Sequence, residues 1–257
     1  MSMPHLHART DILLGEETRR LLSQRTVFIA GLGGVGGAAA ESIVRAGIGH
    51  VILLDHDVVS PSNINRQLLA LHSTIGQKKT SVAKARFEDI CPEVKITVLD
   101  QFLHADSAEE LLAPYSPDFL LDCIDSIGCK AALVKAAQSR GIPVISAMGA
   151  GNALDVSKVR IARLDRTEVC PLAREMRKHM KRLRGKQNYP VVYSNEQRRQ
   201  ALPHTPVGGK EGEPSGRPRA VNGTISYLPG LFGMMMAGYV IEQLVKKIEQ
   251  EKKSSSI

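Results

Sequence analysis

Short apolar runs alternate with helix-like segments through the first half of the chain. Five of these runs are apolar throughout, without the alternation of a half-exposed strand: 26–31, 51–55, 95–99, 119–124 and 143–147. Strands of this kind are buried on both faces, which is typical of a parallel sheet covered by helices. The segments between them predict helices at about 38–49, 78–90, 107–112 and 126–140. We therefore predict an α/β fold with a doubly wound, Rossmann-like and mostly parallel sheet.

The pattern changes after Gly151. Residues 156–164 alternate as a half-buried strand, a basic helix follows at about 170–182, and VVYS at 191–194 predicts another short strand. We expect a single domain over 1–257, with a nucleotide-binding half at about 10–150 and a C-terminal lobe of antiparallel strands and helices at about 151–257. The density of glycine and proline predicts a mobile loop at about 196–222.

Composition narrows the class of protein. The last apolar segment, 227–241, contains Pro229 and falls short of the roughly 20 residues of a membrane span, so we expect a buried core or dimer helix without membrane association. The first ten residues lack the apolar run of a secretory signal. None of the four cysteines forms a CxxC pair, which indicates a reducing, cytoplasmic location without structural zinc.

The net charge of +8 is concentrated in the predicted basic helix and the residues after it. The basic side chains there are Arg174, Arg177, Lys178, Lys181, Arg182, Arg184 and Lys186. Such a run is either the solvated face of a helix or a surface that binds nucleic-acid phosphates. Composition alone leaves both interpretations open.

A glycine-rich loop follows the first predicted strand. GLGGVG places Gly31, Gly33, Gly34 and Gly36 between that strand and a helix, where backbone N–H groups can approach a phosphate. Asp55 ends the second strand, where it can accept hydrogen bonds from ribose hydroxyls. This pattern predicts a nucleotide site, and by itself it would favour a nicotinamide cofactor.

The next polar cluster favours ATP instead. Asp57, Asn63, Arg66 and Gln67 follow Asp55 closely. Hydride transfer generates no phosphate charge, whereas attack on the α-phosphate of ATP builds negative charge that fixed donors must stabilise. Lys79 can add a further positive charge that reaches the phosphates. The alternatives are a surface ion pair for Arg66 and an exposed helix charge for Lys79.

Two carboxylates lie near the end of a later strand, at Asp122 and Asp125. Ligands bind at the carboxyl ends of strands in open α/β sheets, and a carboxylate there suits Mg²⁺. The alternative is that these acids only cap the helix that starts at Ser126.

The linked motifs GLGGVG, SNINRQ, Lys79 and DCIDS closely resemble the ubiquitin-activating (ThiF/MoeB-like) superfamily over about residues 10–165. CPLAREMRKHMKR and the late GTISYLPGLFGMMMAG segment resemble its tRNA threonylcarbamoyladenosine dehydratase branch. The resemblance implies catalytic roles for Arg66, Lys79, Asp125 and Arg9, with Mg²⁺ held by Asp125. It implies a homodimer, because Arg9 resembles an arginine that reaches the neighbouring subunit's site. The expected ATP-binding residues are Gly31, Gly33, Gly34, Gly36, Asp55, Asp57, Asn63, Arg66, Gln67, Lys79, Asp125 and Ser126.

The implied reaction adenylates the carboxylate of N6-threonylcarbamoyladenosine in tRNA and closes a ring with loss of water. The basic helix would then hold the tRNA, and a role for a sulfur-relay protein as a further partner stays open. Two other functions stay open: an adenylyltransferase acting on the C-terminal glycine of a ubiquitin-like sulfur carrier, and a non-catalytic NAD-sensing module. Cys170 could be a thioester nucleophile, but a buried or incidental thiol fits better, and we expect Cys123 to be a core strand residue.

Overall fold

The structure is a computed structural model, and it describes residues 6–200 and 222–255. Its strands are β1 Thr26–Ala30, β2 His50–Leu54, β3 Lys95–Leu99, β4 Phe119–Asp122, β5 Val144–Ala147, β6 Val159–Arg163 and β7 Pro190–Ser194. Its helices are α1 Ala8–Leu14, α2 Glu16–Leu22, α3 Gly34–Arg45, α4 Lys79–Ile90, α5 Ala108–Leu112, α6 Ile127–Ser139, α7 Pro171–Arg182 and α8 Leu228–Ser255. The predicted elements are present with small shifts at their ends. The sequence patterns did not predict α1 and α2.

The strands of the described residues form one sheet in the order β3-β2-β1-β4-β5-β7-β6. All neighbours are parallel except β6 and β7, which confirms the mostly parallel α/β fold. The two C-terminal strands pair antiparallel as predicted. However, β7 also pairs with β5, so these strands extend the main sheet. Most of the loop predicted at 196–222 lies outside the described residues.

Helices cover both faces of the sheet, and each face has its own apolar core. One core packs α3, α4 and α8 against the sheet, and the other packs α5, α6 and α7. Because apolar residues fill both layers, β1, β2, β4 and β5 are buried along almost their whole length. Because β1 pairs parallel with both β2 and β4, the carboxyl ends of these three strands share one edge of the sheet, where the site lies.

Helix α8 anchors the C-terminal end of the chain to the nucleotide-binding half. Gly233 permits close contact with α3, since a Cβ there would lie 2.2 Å from the carbonyl oxygen of Val35. Buried apolar side chains four residues apart form a stripe along α8: Leu228, Phe232, Met236, Val240, Leu244 and Ile248. Among the described helices only α8 is long and apolar enough to cross a membrane, and this stripe packs it into the core.

Candidate active site

A cavity of about 500 Å³ opens at the carboxyl ends of the strands. Most of the residues expected to bind ATP line it: Gly31, Gly33, Gly34, Asp55, Asp57, Asn63, Arg66, Gln67, Lys79, Asp125 and Ser126. Gly36 lies behind this wall. The expected residues, spread over 96 positions of the sequence, therefore meet at one edge of the sheet.

The glycine loop is closed too tightly for side chains. Gly31 has a φ of +89°, and a Cβ there would lie 2.9 Å from the carbonyl oxygen of Cys123. At Gly36 a Cβ would lie 1.7 Å from the carbonyl oxygen of Gly31. Helix α3 begins at Gly34, so its first N–H groups are available to a phosphate at the cavity wall.

Asp55 fixes this loop as well as facing the cavity. Its Oδ2 accepts a hydrogen bond from the Leu32 N–H at 2.6 Å, and its Oδ1 accepts from the Asp57 N–H at 2.8 Å. A carboxylate has about four acceptor positions, so capacity remains for ribose hydroxyls. Asp55 therefore combines a structural role with the ribose-binding role that its position predicts.

Lys79 is almost fully buried, with 5% of its side chain exposed. Its Nζ donates to Asp57 Oδ2 at 2.6 Å, and its backbone N–H donates to the Asp57 carbonyl at 3.0 Å. The alternative of an exposed helix charge is therefore wrong for Lys79. Its ammonium lies at the cavity wall, where an incoming phosphate would compete with Asp57 for it.

The segment 61–67 forms a compact turn over the glycine loop. Arg66 Nη1 donates to the Ser62 carbonyl and to Asn65 Oδ1, both at 2.8 Å, rather than to an acid. Asn63 Oδ1 accepts from the Ser60 N–H at 3.1 Å. Gln67 is buried, and its Oε1 has no hydrogen-bond partner within the described part of the chain. A buried acceptor without a donor at a cavity wall fits a bound polar ligand.

Only one of the two strand-end acids reaches the cavity. Asp125 is exposed and lines it, whereas Asp122 is fully buried and forms a 2.8 Å ion pair with Lys130. Burial raises the pKa of Asp122, and the neighbouring Lys130 opposes that shift. Asp122 Oδ1 accepts from the Ile124 N–H, so it shapes the turn before Asp125 instead of capping α6. An exposed carboxylate beside phosphate-binding groups fits Mg²⁺, which prefers oxygen ligands.

One aromatic side chain at the cavity was missed by the sequence patterns. Phe102 is 45% exposed and lines the cavity together with His56. The rings of His56 and His104 both contact Phe102 edge-on, with centroids 4.8 Å away. An exposed aromatic face of this kind can stack on a nucleobase. The loop after β3 carries no motif, so only the structure brings Phe102 to the site.

Neither Cys123 nor Cys170 has the surroundings of a nucleophile. Cys123 lies one residue after β4, not within it, and borders the cavity; burial raises the pKa of its thiol to about 12. Cys170 is buried outside the cavity at the start of α7, where Arg198 Nη2 contacts its Sγ at 3.7 Å. The structure therefore favours the buried-thiol interpretation of Cys170.

The basic helix is confirmed, but its basic residues are not equivalent. Arg177 points inward and donates to the carbonyls of Leu164 and Thr167, at 3.3 and 3.2 Å, and to the Thr167 hydroxyl. The structure thus places Arg177 in the packing of the lobe, not on the expected nucleic-acid surface. The exposed basic residues are Arg174, Lys178, Lys181, Arg182, Arg184 and Lys186.

Arg9 lies apart from the cavity of its own chain. It is exposed on α1, beside Ile12 and Leu13, whose side chains are 84% and 80% exposed. Close by, Leu14 lines an apolar groove with Met234 and Ile241 of α8.

Comparison with known proteins identifies the family to which the chain belongs. The model of the ThiF family matches residues 7–256. The tRNA threonylcarbamoyladenosine dehydratase of Bacillus subtilis (strain 168) is 34% identical, over 96% of this chain and 97% of that protein. The crystal structure of Escherichia coli tRNA N6-threonylcarbamoyladenosine dehydratase in complex with ATP superposes with a TM-score of 0.81 at 28% identity, covering 94% of each chain.

The sulfur-carrier branch matches less of the chain. The molybdopterin-synthase adenylyltransferase of Salmonella typhimurium (strain LT2) is 35% identical, but only over 51% of this chain and 51% of that protein. The Bacillus subtilis dehydratase, in contrast, matches nearly the whole chain, including its C-terminal half. The chain belongs to the ThiF family, and its likeness to the dehydratase branch extends over nearly its whole length.

Proposed function

We propose that the protein is an ATP-dependent tRNA threonylcarbamoyladenosine dehydratase. It adenylates the carboxylate of N6-threonylcarbamoyladenosine in tRNA and then cyclises the modification. The observation that carries this proposal is a cavity that joins a glycine loop, a buried lysine and a strand-end acid, in a chain that matches dehydratases over nearly its full length.

The first step needs the cavity to stabilise charge. A carboxylate oxygen of the modified adenosine attacks the α-phosphorus of ATP, and pyrophosphate leaves with the electron pair of the broken P–O bond. Gly34 at the start of α3, Arg66 and Lys79 line the cavity, where their N–H groups and positive charges would stabilise the growing negative charge. Asp125 would hold Mg²⁺, which when bound neutralises phosphate charge.

The second step is intramolecular. The carbamoyl group of the modification attacks its own activated carbonyl, AMP leaves, and the carbamoyl group loses a proton, so the modification has lost one water in total. Because both reacting groups belong to one side chain of the nucleotide, a high effective molarity replaces an enzyme nucleophile. This agrees with the high thiol pKa of Cys123 and the burial of Cys170.

We also propose that the active form is a cytoplasmic homodimer. The exposed apolar residues Ile12, Leu13 and Met234 beside the α8 groove support a protein contact there. In that arrangement Arg9 would enter the partner's cavity. Mixing an Arg9→Ala chain with an Asp125→Ala chain should restore activity only if the two residues act across the interface.

Mass analysis of tRNA nucleosides tests the proposed function. Incubating tRNA that carries the linear modification with the enzyme, ATP and Mg²⁺ should lower the mass of that nucleoside by about 18 daltons, the water lost on ring closure. Omitting ATP, or replacing Asp125 by alanine, should leave the mass unchanged. An unchanged mass with the complete mixture would refute the dehydratase function.

A further inference from the structure

The exposed positive charge of the α7 region is concentrated away from the active-site cavity. In the first half of α7, Glu175 pairs with Lys178 at 2.8 Å and lies 3.9 Å from Arg174, so it offsets part of their charge. Beyond Lys178 the basic side chains have no such acid. No ion pair within the described part of the chain involves Lys181, Arg182, Arg184 or Lys186.

The two ends of α7 lie at different edges of the sheet. At its start, Cys170 contacts Arg198, whose Nη1 donates at 2.6 Å to the carbonyl of Gly151, a residue of the cavity wall. Beyond its end, Lys186 exchanges two backbone hydrogen bonds with the Gln138 side chain, at 2.8 and 2.9 Å. Gln138 lies near the end of α6, and α6 begins at the cavity next to Ser126.

The length of α6 therefore gives the distance between the cavity and the residues beyond the end of α7. With a rise of 1.5 Å per residue, Ser126 and Gln138 are about 18 Å apart along its axis. Lys186 also lines a second cavity, of about 420 Å³, together with Asn188 and Lys247. That cavity is bordered by Pro143 and Pro190, at the amino ends of β5 and β7, and so opens at the sheet edge opposite the active site.

We infer that this surface, defined by Lys181, Arg182, Arg184 and Lys186, binds RNA backbone several nucleotides away from the adenosine that reacts. The inference rests on the proposed function and specifies which part of the substrate the surface holds. A stacked strand rises about 3.4 Å per nucleotide, so about 18 Å corresponds to roughly five nucleotides, and to fewer where the strand is extended. The bound phosphates thus belong to RNA flanking the modified position. Their role is to raise affinity for the polynucleotide, since they lie too far away to affect the adenylated carboxylate.

Two modified RNA substrates of different length test this inference. Full-length modified tRNA spans both the cavity and the distal surface, whereas a modified trinucleotide reaches the cavity alone. We compare wild type with the triple variant K181E/R182E/R184E. The matched control is R20E/K95E/K253E, which makes the same change in charge at exposed residues of α2, β3 and α8 that form no ion pair within the described residues. These residues lie away from α7, since β3 is at the opposite end of the sheet from β6 and β7, and α2 and α8 pack on the other face.

The triple variant should raise KM for full-length tRNA by at least about 100-fold, because three phosphate contacts become repulsive. Its kcat/KM for the trinucleotide should stay within about twofold of wild type, and the control should change neither value by more than about threefold. Equal KM values for tRNA in the two triple variants would overturn the inference, as would an equal loss on the trinucleotide. The second result would place the effect at the cavity.

Binding of tRNA measured without ATP separates this inference from the proposed function. If wild type binds tRNA, the triple variant does not, and neither RNA is dehydrated, the surface inference holds and the dehydratase proposal fails. If dehydration proceeds normally while the triple variant binds tRNA as well as the control does, the dehydratase proposal holds and the surface inference fails. Normal tRNA binding with lost binding of an acidic protein would assign the surface to a protein partner and overturn its role in RNA binding.

Discussion

The cavity and the distal basic surface use charge in different ways. In the cavity two charged groups are buried and held by neighbours: Lys79 by Asp57, and Asp55 by the Leu32 N–H. On the basic surface Lys181 and Arg182 project into solvent. Buried charges with fixed orientation interact strongly with a ligand at short distance, whereas the interactions of exposed charges are weakened by water and screened by salt. Substitutions in the cavity should therefore give large losses that salt hardly alters, and those on the surface should give graded losses that salt magnifies.

Lys79→Met should have the largest effect. Removing the buried ammonium takes away a fixed positive charge where the α-phosphate reacts, so kcat should fall by about 10² to 10³-fold. Lys78→Met is the matched control, because Lys78 is the exposed neighbour and pairs with Asp100 at 3.3 Å. Steady-state adenylation kinetics measure both. A loss in Lys79→Met no larger than in the control would remove Lys79 from the reaction.

Lys130→Met tests the buried pair behind the cavity. It leaves the Asp122 carboxylate fully buried without its partner, which should lower the free energy of unfolding by about 3 to 5 kcal/mol. The double variant Asp122→Leu/Lys130→Met removes both charges and should recover much of that loss. Urea denaturation measures the three proteins. If the double variant were as unstable as Lys130→Met, the loss would not come from an unpaired buried charge, and the ion pair itself would stabilise the fold.

Arg177→Ala should affect stability more than RNA binding. The substitution leaves the carbonyls of Leu164 and Thr167 without a charged donor, at a cost of about 1 to 3 kcal/mol in the free energy of unfolding. The salt dependence of tRNA binding should stay close to that of wild type. A clear decrease in the salt slope would show that Arg177 contacts RNA after all.

Lys181→Ala should give the smallest and most salt-sensitive change. Its stability should stay within about 0.5 kcal/mol of wild type, as is usual for an exposed residue. The slope of log K for tRNA against log salt should fall by about 0.7 to 0.9, the contribution of one phosphate contact. Binding titrations at several salt concentrations measure this. An unchanged slope would exclude Lys181 from the RNA surface.

The sequence predicts those features of the structure that depend on neighbouring residues, and it does not predict those that depend on residues far apart in the chain. The strands, the helices α3 to α8 and the glycine loop can be predicted from the apolar periodicity and from GLGGVG, because these patterns depend directly on local backbone conformation. The helices α1 and α2 could not be predicted in this way. The joining of β7 to β5 carries no such signal, since strand pairing depends on distant residues. Phe102 reaches the cavity only through the path of the chain after β3.

The same limit applies to individual side chains. A basic run indicates charge, but it does not reveal that Arg177 turns inward while Lys181 projects outward. Asp122 and Asp125 are indistinguishable in the sequence. Burial separates them, because Asp122 belongs to a central strand and Asp125 to the turn that follows it.

Exchange of labelled pyrophosphate into ATP tests the central claim most directly, because it follows the adenylation step alone. Wild type with Mg²⁺ should catalyse exchange when tRNA carrying the linear modification is present, and Lys79→Met should reduce it by about 10² to 10³-fold. Unmodified tRNA and a small ubiquitin-like carrier should give only background. Exchange that required the carrier, or that ran equally with unmodified tRNA, would contradict adenylation of the modified nucleotide.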